Sequence, residues 1–158
     1  MAQTAIAFGS NLGDSLTILE NAIKTLVEIP EVSLISASSW YKTKPVGPPQ
    51  ADYINGCAIF DVQLTPEELL TKLLEIEHKF GRIRGIYWGP RTLDLDIILY
   101  DDLILKIPDL EIPHPRMRER PFVLVPLAEI APFWIDPVTK LNISDLLEKL
   151  DTLGVNLL

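Results

Sequence analysis

Cysteine is almost missing from this sequence. With Cys57 as the only one, no internal disulfide can form, and two histidines, His78 and His114, are too few for a structural zinc cage. Both scarcities fit a reducing, cytoplasmic setting. No apolar run approaches the ~18 residues that would cross a bilayer, and the opening Met1-Ala2-Gln3-Thr4 lacks the basic segment of a secretory signal, so a soluble, unprocessed chain is expected. Positive charge is also scarce. The 14 lysines and arginines face 22 acidic residues, a formal charge of -8, which disfavours a general affinity for nucleic acid or an anionic membrane. An anionic ligand must therefore be held by a local cluster of cations. Repeats, low-complexity tracts and domain linkers are absent as well, and 158 residues with 47% apolar side chains suffice for one sizeable core, so residues 1–158 are expected to form a single domain.

What is present has a regular order. Thr4 to Phe8 is a short apolar run ending at Gly9, the pattern of a buried strand. Leu16, Leu19, Ala22, Ile23, Leu26 and Val27 recur at helical spacing, predicting a helix over about residues 15 to 28 that stops before Pro30. Val32 to Thr43 and Tyr53 to Gln63 are strand-like, and the proline-rich stretch from Lys44 to Asp52 between them is a loop. Thr65-Pro66-Glu67-Glu68 has the form of a helix start with a capping box. Leu69, Leu70, Leu73, Leu74, Ile76 and Phe80 supply that helix with an apolar face, and Gly81 ends it. A strand from Leu93 to Tyr100 follows a polar arm, then a proline-rich loop, an apolar segment near Phe122 to Ile130 and a last helix starting near Ser144. Strand, helix, strand, strand, helix, strand is the order of an α+β, ferredoxin-like (split βαβ) fold. That fold has helices on one face of a largely antiparallel sheet, here with helical additions at the C-terminus.

The chemistry concentrates in one half. All six arginines, Arg82, Arg84, Arg91, Arg116, Arg118 and Arg120, lie within the stretch from 82 to 120, whereas the eight lysines are spread along the chain. Guanidinium forks match phosphate oxygens, so such a cluster on an acidic protein suggests a polyphosphate ligand, although surface ion pairs would explain it on charge pattern alone. In Leu93-Asp94-Leu95-Asp96-Ile97, strand alternation puts the three apolar side chains on one face and both aspartates on the other, about 6.6 Å apart. Two such carboxylates repel by roughly 2 to 3 kcal/mol at an effective dielectric near 20. A cation would remove that penalty, and magnesium takes one or two carboxylates together with substrate phosphates. A solvated strand face is the plainer reading of Asp-x-Asp alone, and Arg91 just upstream tips the balance toward metal.

Other candidates read more blandly. Gly9-Ser10-Asn11-Leu12-Gly13-Asp14 stands where phosphate loops often occur but has no lysine after its second glycine, so a turn with Asn11 or Asp14 capping the helix is the better reading. His114, held between Pro113 and Pro115, could donate to a phosphate or be structural. Tyr53, Trp88 and Phe122 border loops and could stack on a flat ring, and Cys57 reads as a small buried side chain.

Taken together, Trp88-Gly89-Pro90-Arg91-Thr92-Leu93-Asp94-Leu95-Asp96 resembles the signature of the 6-hydroxymethyl-7,8-dihydropterin pyrophosphokinase family. Gly9 to Gly13, Tyr41 to Gly47, Tyr53 with Asn55, Glu77 with Gly81-Arg82, Pro113 to Arg116, and Arg120 through Phe122 to Pro126 resemble it further, in the family's order. The resemblance implies a single catalytic domain, monomeric, that transfers pyrophosphate from ATP to the pterin alcohol in folate biosynthesis. It implies that Asp94 and Asp96 bind two magnesium ions, that Arg82, Arg91, His114 and Arg120 grip the phosphates, with Arg82 and Arg91 catalytic, and that Arg84 and Trp88 sit on a loop closing over ATP. Ile97 would touch adenine. Tyr53 and Phe122 would sandwich the pterin ring, whose edge Asn55 and the backbone near Thr43 and Val46 would read. Two other classes compete. An RNA-binding module would share the fold but lacks a run of basic and aromatic residues here, and a non-catalytic regulatory domain leaves the paired aspartates unexplained.

Overall fold

The computed structural model describes residues 1–11, 14–44, 51–81 and 93–158. Its first unit is strand β1 (Ala2–Ser10), helix α1 (Ser15–Val27) and strand β2 (Val32–Ala37). Asp14 caps α1 by accepting from the Thr17 N–H at 3.4 Å, and Leu19, Ala22 and Leu26 form its buried stripe. Strand β3 (Tyr41–Thr43) continues from β2 after a break, so the expected single run is two short strands. After β4 (Tyr53–Val62), α2 (Pro66–Lys79) begins on the expected capping box: the Glu68 N–H donates to Thr65 Oγ1 and the Thr65 N–H donates to Glu68 Oε1. The chain leaves α2 through Gly81 at φ 81°, a left-handed conformation that favours glycine. Strand β5 (Asp94–Tyr100) follows, then the hairpin β6 (Leu105–Ile107) and β7 (Leu110–Ile112). A short turn at Met117–Glu119 leads into α3 (Pro121–Ile130), α4 (Ile143–Glu148) and β8 (Val155–Leu157).

The main sheet runs β5-β1-β4-β3-β8, with β2 also on β4, and every pair is antiparallel. Since β1 and β2 are both antiparallel to β4, they are parallel to each other, with α1 as the crossover; β4, α2 and β5 repeat the arrangement around β1. Helices α1 and α2 pack on one face with Ile6, Phe8, Phe60, Leu95 and Ile97. The expectation of helices on one face accounts for these two alone. On the opposite face Val123, Leu124 and Leu127 of α3 and Ile143 and Leu146 of α4 bury Ala5, Cys57, Ile59, Ile98 and Leu99. A bulge in β5 helps. Ala5 pairs with Leu99 and Ile6 with Ile97, so Ile98 is the extra residue and both Ile98 and Leu99 reach the α3 side.

The β6–β7 hairpin and β8 were beyond prediction because three-residue strands carry too few alternations to register as a period. Among the described residues, no helix is long and apolar enough to cross a membrane.

Candidate active site

Antiparallel register decides which side chains share a face, because paired residues project to the same side. Tyr41 pairs with Asn55, Asn55 with Gly9, and Gly9 with Asp94, one rung across four strands. The neighbouring rung on the same face is Cys57, Ala7 and Asp96, and on the other side Thr43 pairs with Tyr53. These rungs lie on the α3 side, since Cys57 donates to the Val123 carbonyl at 3.5 Å and Tyr41 donates to Glu129 of α3 at 2.5 Å. The apolar cover there begins at Cys57 and continues through Ile59 and Ala5. Beyond it, at the end where β1 finishes and β4 and β5 begin, the face carries Asn55, Thr43, Tyr53, Asp94 and Asp96. Thus the aspartates do project away from Leu93, Leu95 and Ile97, as alternation predicts, and they remain half-buried.

Two atoms at this end call for an explanation. Thr43 Oγ1 and Asn55 Oδ1 are buried and have no hydrogen-bond partner among the described residues, a state that is rare for buried polar groups in a folded protein. Asn55 is only 7% exposed, so water does not easily satisfy it.

Strand β5 is an edge of the sheet, and a cleft of about 740 Å³ runs beside it, lined by Leu70, Asp96, Ile97, Lys106, Glu111 and His114 among others. The cleft and the polar rungs meet at Asp96. Glu77, buried on α2, accepts from the Leu95 N–H at 2.8 Å, and the His114 N–H donates to the Ile98 carbonyl at 2.9 Å, so both are fastened to β5. His114 Nδ1 accepts from the Arg116 N–H at 3.2 Å, which leaves the ring proton of the neutral imidazole on Nε2 as a donor. The ring is neutral: burial, and then Arg120 and Arg116, lower its pKa from 6.5 to about 4 against the opposing pull of Glu111.

Arg120 stands at the start of α3 with its guanidinium 5.5 Å from the Phe122 ring centroid, a cation-π contact. Burial lowers its pKa, while Asp96 and, after the opposing Arg116, Asp94 favour its charge, so it shares their electrostatic neighbourhood. Phe122 packs against the α3-side core. The structure thus brings together Thr43, Tyr53, Asn55, Asp94, Asp96, Ile97, His114, Arg120 and Phe122 at one end of the sheet and its edge. Arg82, Arg84, Trp88, Arg91 and Val46 lie outside the described residues.

The arginine cluster is not uniform. Arg118 donates to buried Asp136 at 2.5 and 3.0 Å, with Thr139 and the Val138 N–H on the same carboxylate, so it ties down the loop between α3 and α4. Arg116 lies 3.9 Å from Glu119 at the surface. For these two the ion-pair reading is the correct one, and Arg120 is the one of the three that faces the aspartates.

The sequence offered Asn11 as a helix cap, marked Gly9 and Glu77 as family-like without giving either a role, and gave no sign of Glu129. Asn11 donates from Nδ2 to the Ala51 carbonyl at 3.0 Å, anchoring the approach to Tyr53; Asp14 has the capping role. Glu129 also accepts from the Ser39 N–H at 2.9 Å and so clamps the break between β2 and β3 onto α3. Burial, and after it the bond to Glu129, push the pKa of Tyr41 up to about 12. Glu77 had a legible signal, a charged residue within the apolar stripe of Leu69, Leu73, Ile76 and Phe80. Among the described residues, no three His, Cys, Asp or Glu side chains converge to cage a metal ion.

The 7,8-dihydro-6-hydroxymethylpterin-pyrophosphokinase (HPPK) family pattern matches residues 5–132, a span that runs from within β1 to just past α3 and takes in every residue of the rungs described above. A 2-amino-4-hydroxy-6-hydroxymethyldihydropteridine pyrophosphokinase from Synechocystis sp. is 52% identical over 150 residues, covering 95% of this chain and 77% of the relative. The enzyme of the same name from Methylorubrum extorquens is 37% identical over 156 residues, 98% of each chain. Among solved structures, Plasmodium falciparum HPPK-DHPS wild type with pteroate aligns over 94% of this chain with a TM-score of 0.76 at 14% identity, a likeness of fold. This chain spans 42% of that longer one. On the strength of the matched span and these identities, the chain belongs to the 7,8-dihydro-6-hydroxymethylpterin-pyrophosphokinase family.

Proposed function

We propose that the chain transfers pyrophosphate from ATP to 6-hydroxymethyl-7,8-dihydropterin, releasing AMP, the pyrophosphokinase step of folate biosynthesis. The observation that carries the reading is the rung Asn55, Gly9, Asp94 with Asp96 beside it, polar residues on an otherwise apolar sheet face, adjoining a cleft at Asp96. The pterin lies over the rung and ATP in the cleft. Asn55 Oδ1 and Thr43 Oγ1, both lacking partners among the described residues, accept from the ring's N–H groups. Tyr53 from the sheet and Phe122 from α3 hold the ring faces, and the backbone near Val46 reads its edge. Ile97 borders the adenine.

Asp94 and Asp96 offer two hard oxygen donors on one face, with no third among the described residues. That donor set suits magnesium, which keeps water and takes phosphate oxygens; it does not suit an ion enclosed by protein. Bound there as two ions, magnesium would supply charge neutralisation on the transferring phosphates. Arg120 and the Nε2–H of neutral His114 donate to phosphate oxygens together with Arg82 and Arg91, which stabilise charge at the reacting phosphorus, while Arg84 and Trp88 close over ATP. The pterin hydroxyl oxygen bonds to the β-phosphorus and releases its proton to water. The bond from that phosphorus to the oxygen bridging it to the α-phosphorus breaks in line, and AMP carries the electron pair away.

The finer description of the fold goes with this reading: a ferredoxin-like split βαβ arrangement, one domain over residues 1–158, working as a cytoplasmic monomer without nucleic-acid or membrane partners. The test is incubation with magnesium, ATP and the reduced pterin alcohol, followed by phosphorus NMR. Equal amounts of AMP and pterin diphosphate are expected. ADP with a pterin monophosphate would overturn the pyrophosphoryl assignment, and pterin-independent or absent ATP consumption would overturn the enzymatic one.

A further inference from the structure

Gly9 is the middle of the rung that joins Asn55 to Asp94. Neighbouring strands lie about 4.8 Å apart, so Asn55 and Asp94 are separated by about 10 Å with only the Gly9 backbone between them. Anything that touches both must pass over this residue. A glycine inside a strand weakens it, and its usual justification is a close approach by a ligand or another group. Here the approaching group is visible. A β-carbon built on Gly9 would stand 3.0 Å from Asn55 Nδ2, with the Ile54 carbonyl next at 4.0 Å. The backbone gives no reason for glycine, since Gly81 is the only glycine with positive φ among the described residues. Asn55 is 7% exposed, and its Oδ1 has no hydrogen-bond partner among the described residues.

We infer that Gly9 is a positioning residue for the pterin substrate: its bare backbone lets the Asn55 amide lie close against β1 with Oδ1 directed to the ligand. This rests on reading Asn55 as a contact of the pterin. The nearest core glycine behaves differently. A β-carbon on Gly56 would meet the Trp40 ring at 2.6 and 2.7 Å on the α1 side, a packing contact remote from the polar rungs. At Gly9 a methyl group would press the Asn55 amide aside by a few tenths of an ångström, and the acceptor of that amide has no partner among the described residues, so the consequence falls on binding.

The experiment compares wild type, Gly9→Ala, Asn55→Ala and the double variant, measuring KM for the pterin alcohol, KM for ATP, melting temperature and pterin binding by tryptophan fluorescence. Gly9→Ala should raise the pterin KM and weaken pterin binding by about tenfold, the scale of one lost buried hydrogen bond. KM for ATP should move less than about twofold, because uniform binding of the second substrate is untouched. In the Asn55→Ala background the added methyl should have no further effect on pterin binding. If Gly9→Ala alone does not fold, the double variant carries the same comparison against Asn55→Ala. Unchanged pterin affinity in Gly9→Ala, or an undiminished loss in the Asn55→Ala background, would overturn the inference. A wild type that turns over pterin while Gly9→Ala matches it condemns this inference alone; a wild type that neither binds nor turns over pterin condemns the functional reading and the inference together.

Discussion

The two faces of one sheet do different work with the same backbone. On the α1–α2 face, apolar side chains run the length of the strands, from Phe60 and Ile6 to Phe8 and Leu95, and the Trp40 ring closes over Gly56. On the α3–α4 face the apolar cover begins at Cys57, and the last rungs carry Asn55, Thr43, Asp94 and Asp96. The difference teaches that each face carries an apolar core while only the α3–α4 face ends in polar rungs, so under the proposed function a substitution in those rungs should reach binding without reaching the core.

The largest effect expected from breaking this division is on the open rungs. Asp94→Ala and Asp96→Ala should each lower the rate of AMP formation by about a thousandfold, the scale of removing one element of charge stabilisation. Melting temperature should hold or rise, because one of two repelling carboxylates is gone. Retained activity at saturating magnesium, or a large drop in melting temperature, would erase the distinction between the faces.

On the closed face the pattern should reverse. Phe60 is fully buried among Phe8 and its neighbours, so Phe60→Ala should lose about 3 to 5 kcal/mol in urea unfolding. KM values for both substrates should stay within about twofold in the molecules still folded. Gly56→Ala is a smaller version of the same test: forcing the Trp40 ring aside should cost about 1 to 3 kcal/mol. A pterin KM that rose with either substitution would mean that the faces are coupled through β4.

The smallest effect sharpens the boundary at His114. Because burial and two arginines lower its pKa from 6.5 to about 4, the folded protein binds this proton less readily than the unfolded chain does. The resulting stability is complete above pH 6.5 and is lost as pH falls toward 4. His114→Gln should therefore flatten part of the decline in urea midpoint between neutral pH and about pH 5. An identical decline in wild type and variant would show that the ring is not held neutral by its surroundings.

Much of this was legible from short-range pattern. The capping box at Thr65 and Glu68, the stripes of α1 and α2 and the alternation around Asp94 and Asp96 each depend on residues within a few positions of one another, and the structure repeats them. The hairpin β6–β7, the strand β8 and the helical form of Phe122 to Ile130 were not, since three-residue strands and an evenly apolar helix containing Pro126 have little period to detect. Arg118 and Arg120 look alike in sequence. One is spent on Asp136 and the other stands near Asp94 and Asp96, a difference set by where the loop after α3 returns.

The chain by itself therefore determined its helix caps, its buried stripes, the shared face of the two aspartates and the confinement of arginine to one stretch. Tertiary structure alone decided that Gly9 falls between Asn55 and Asp94, and that this rung lies beyond the apolar cover that begins at Cys57. The reason is register. Side-chain direction along a strand is local, whereas the choice of partner across strands is made by closing loops between distant residues and burying both faces at once, and a slip of one residue would send every group in the rung to the other side.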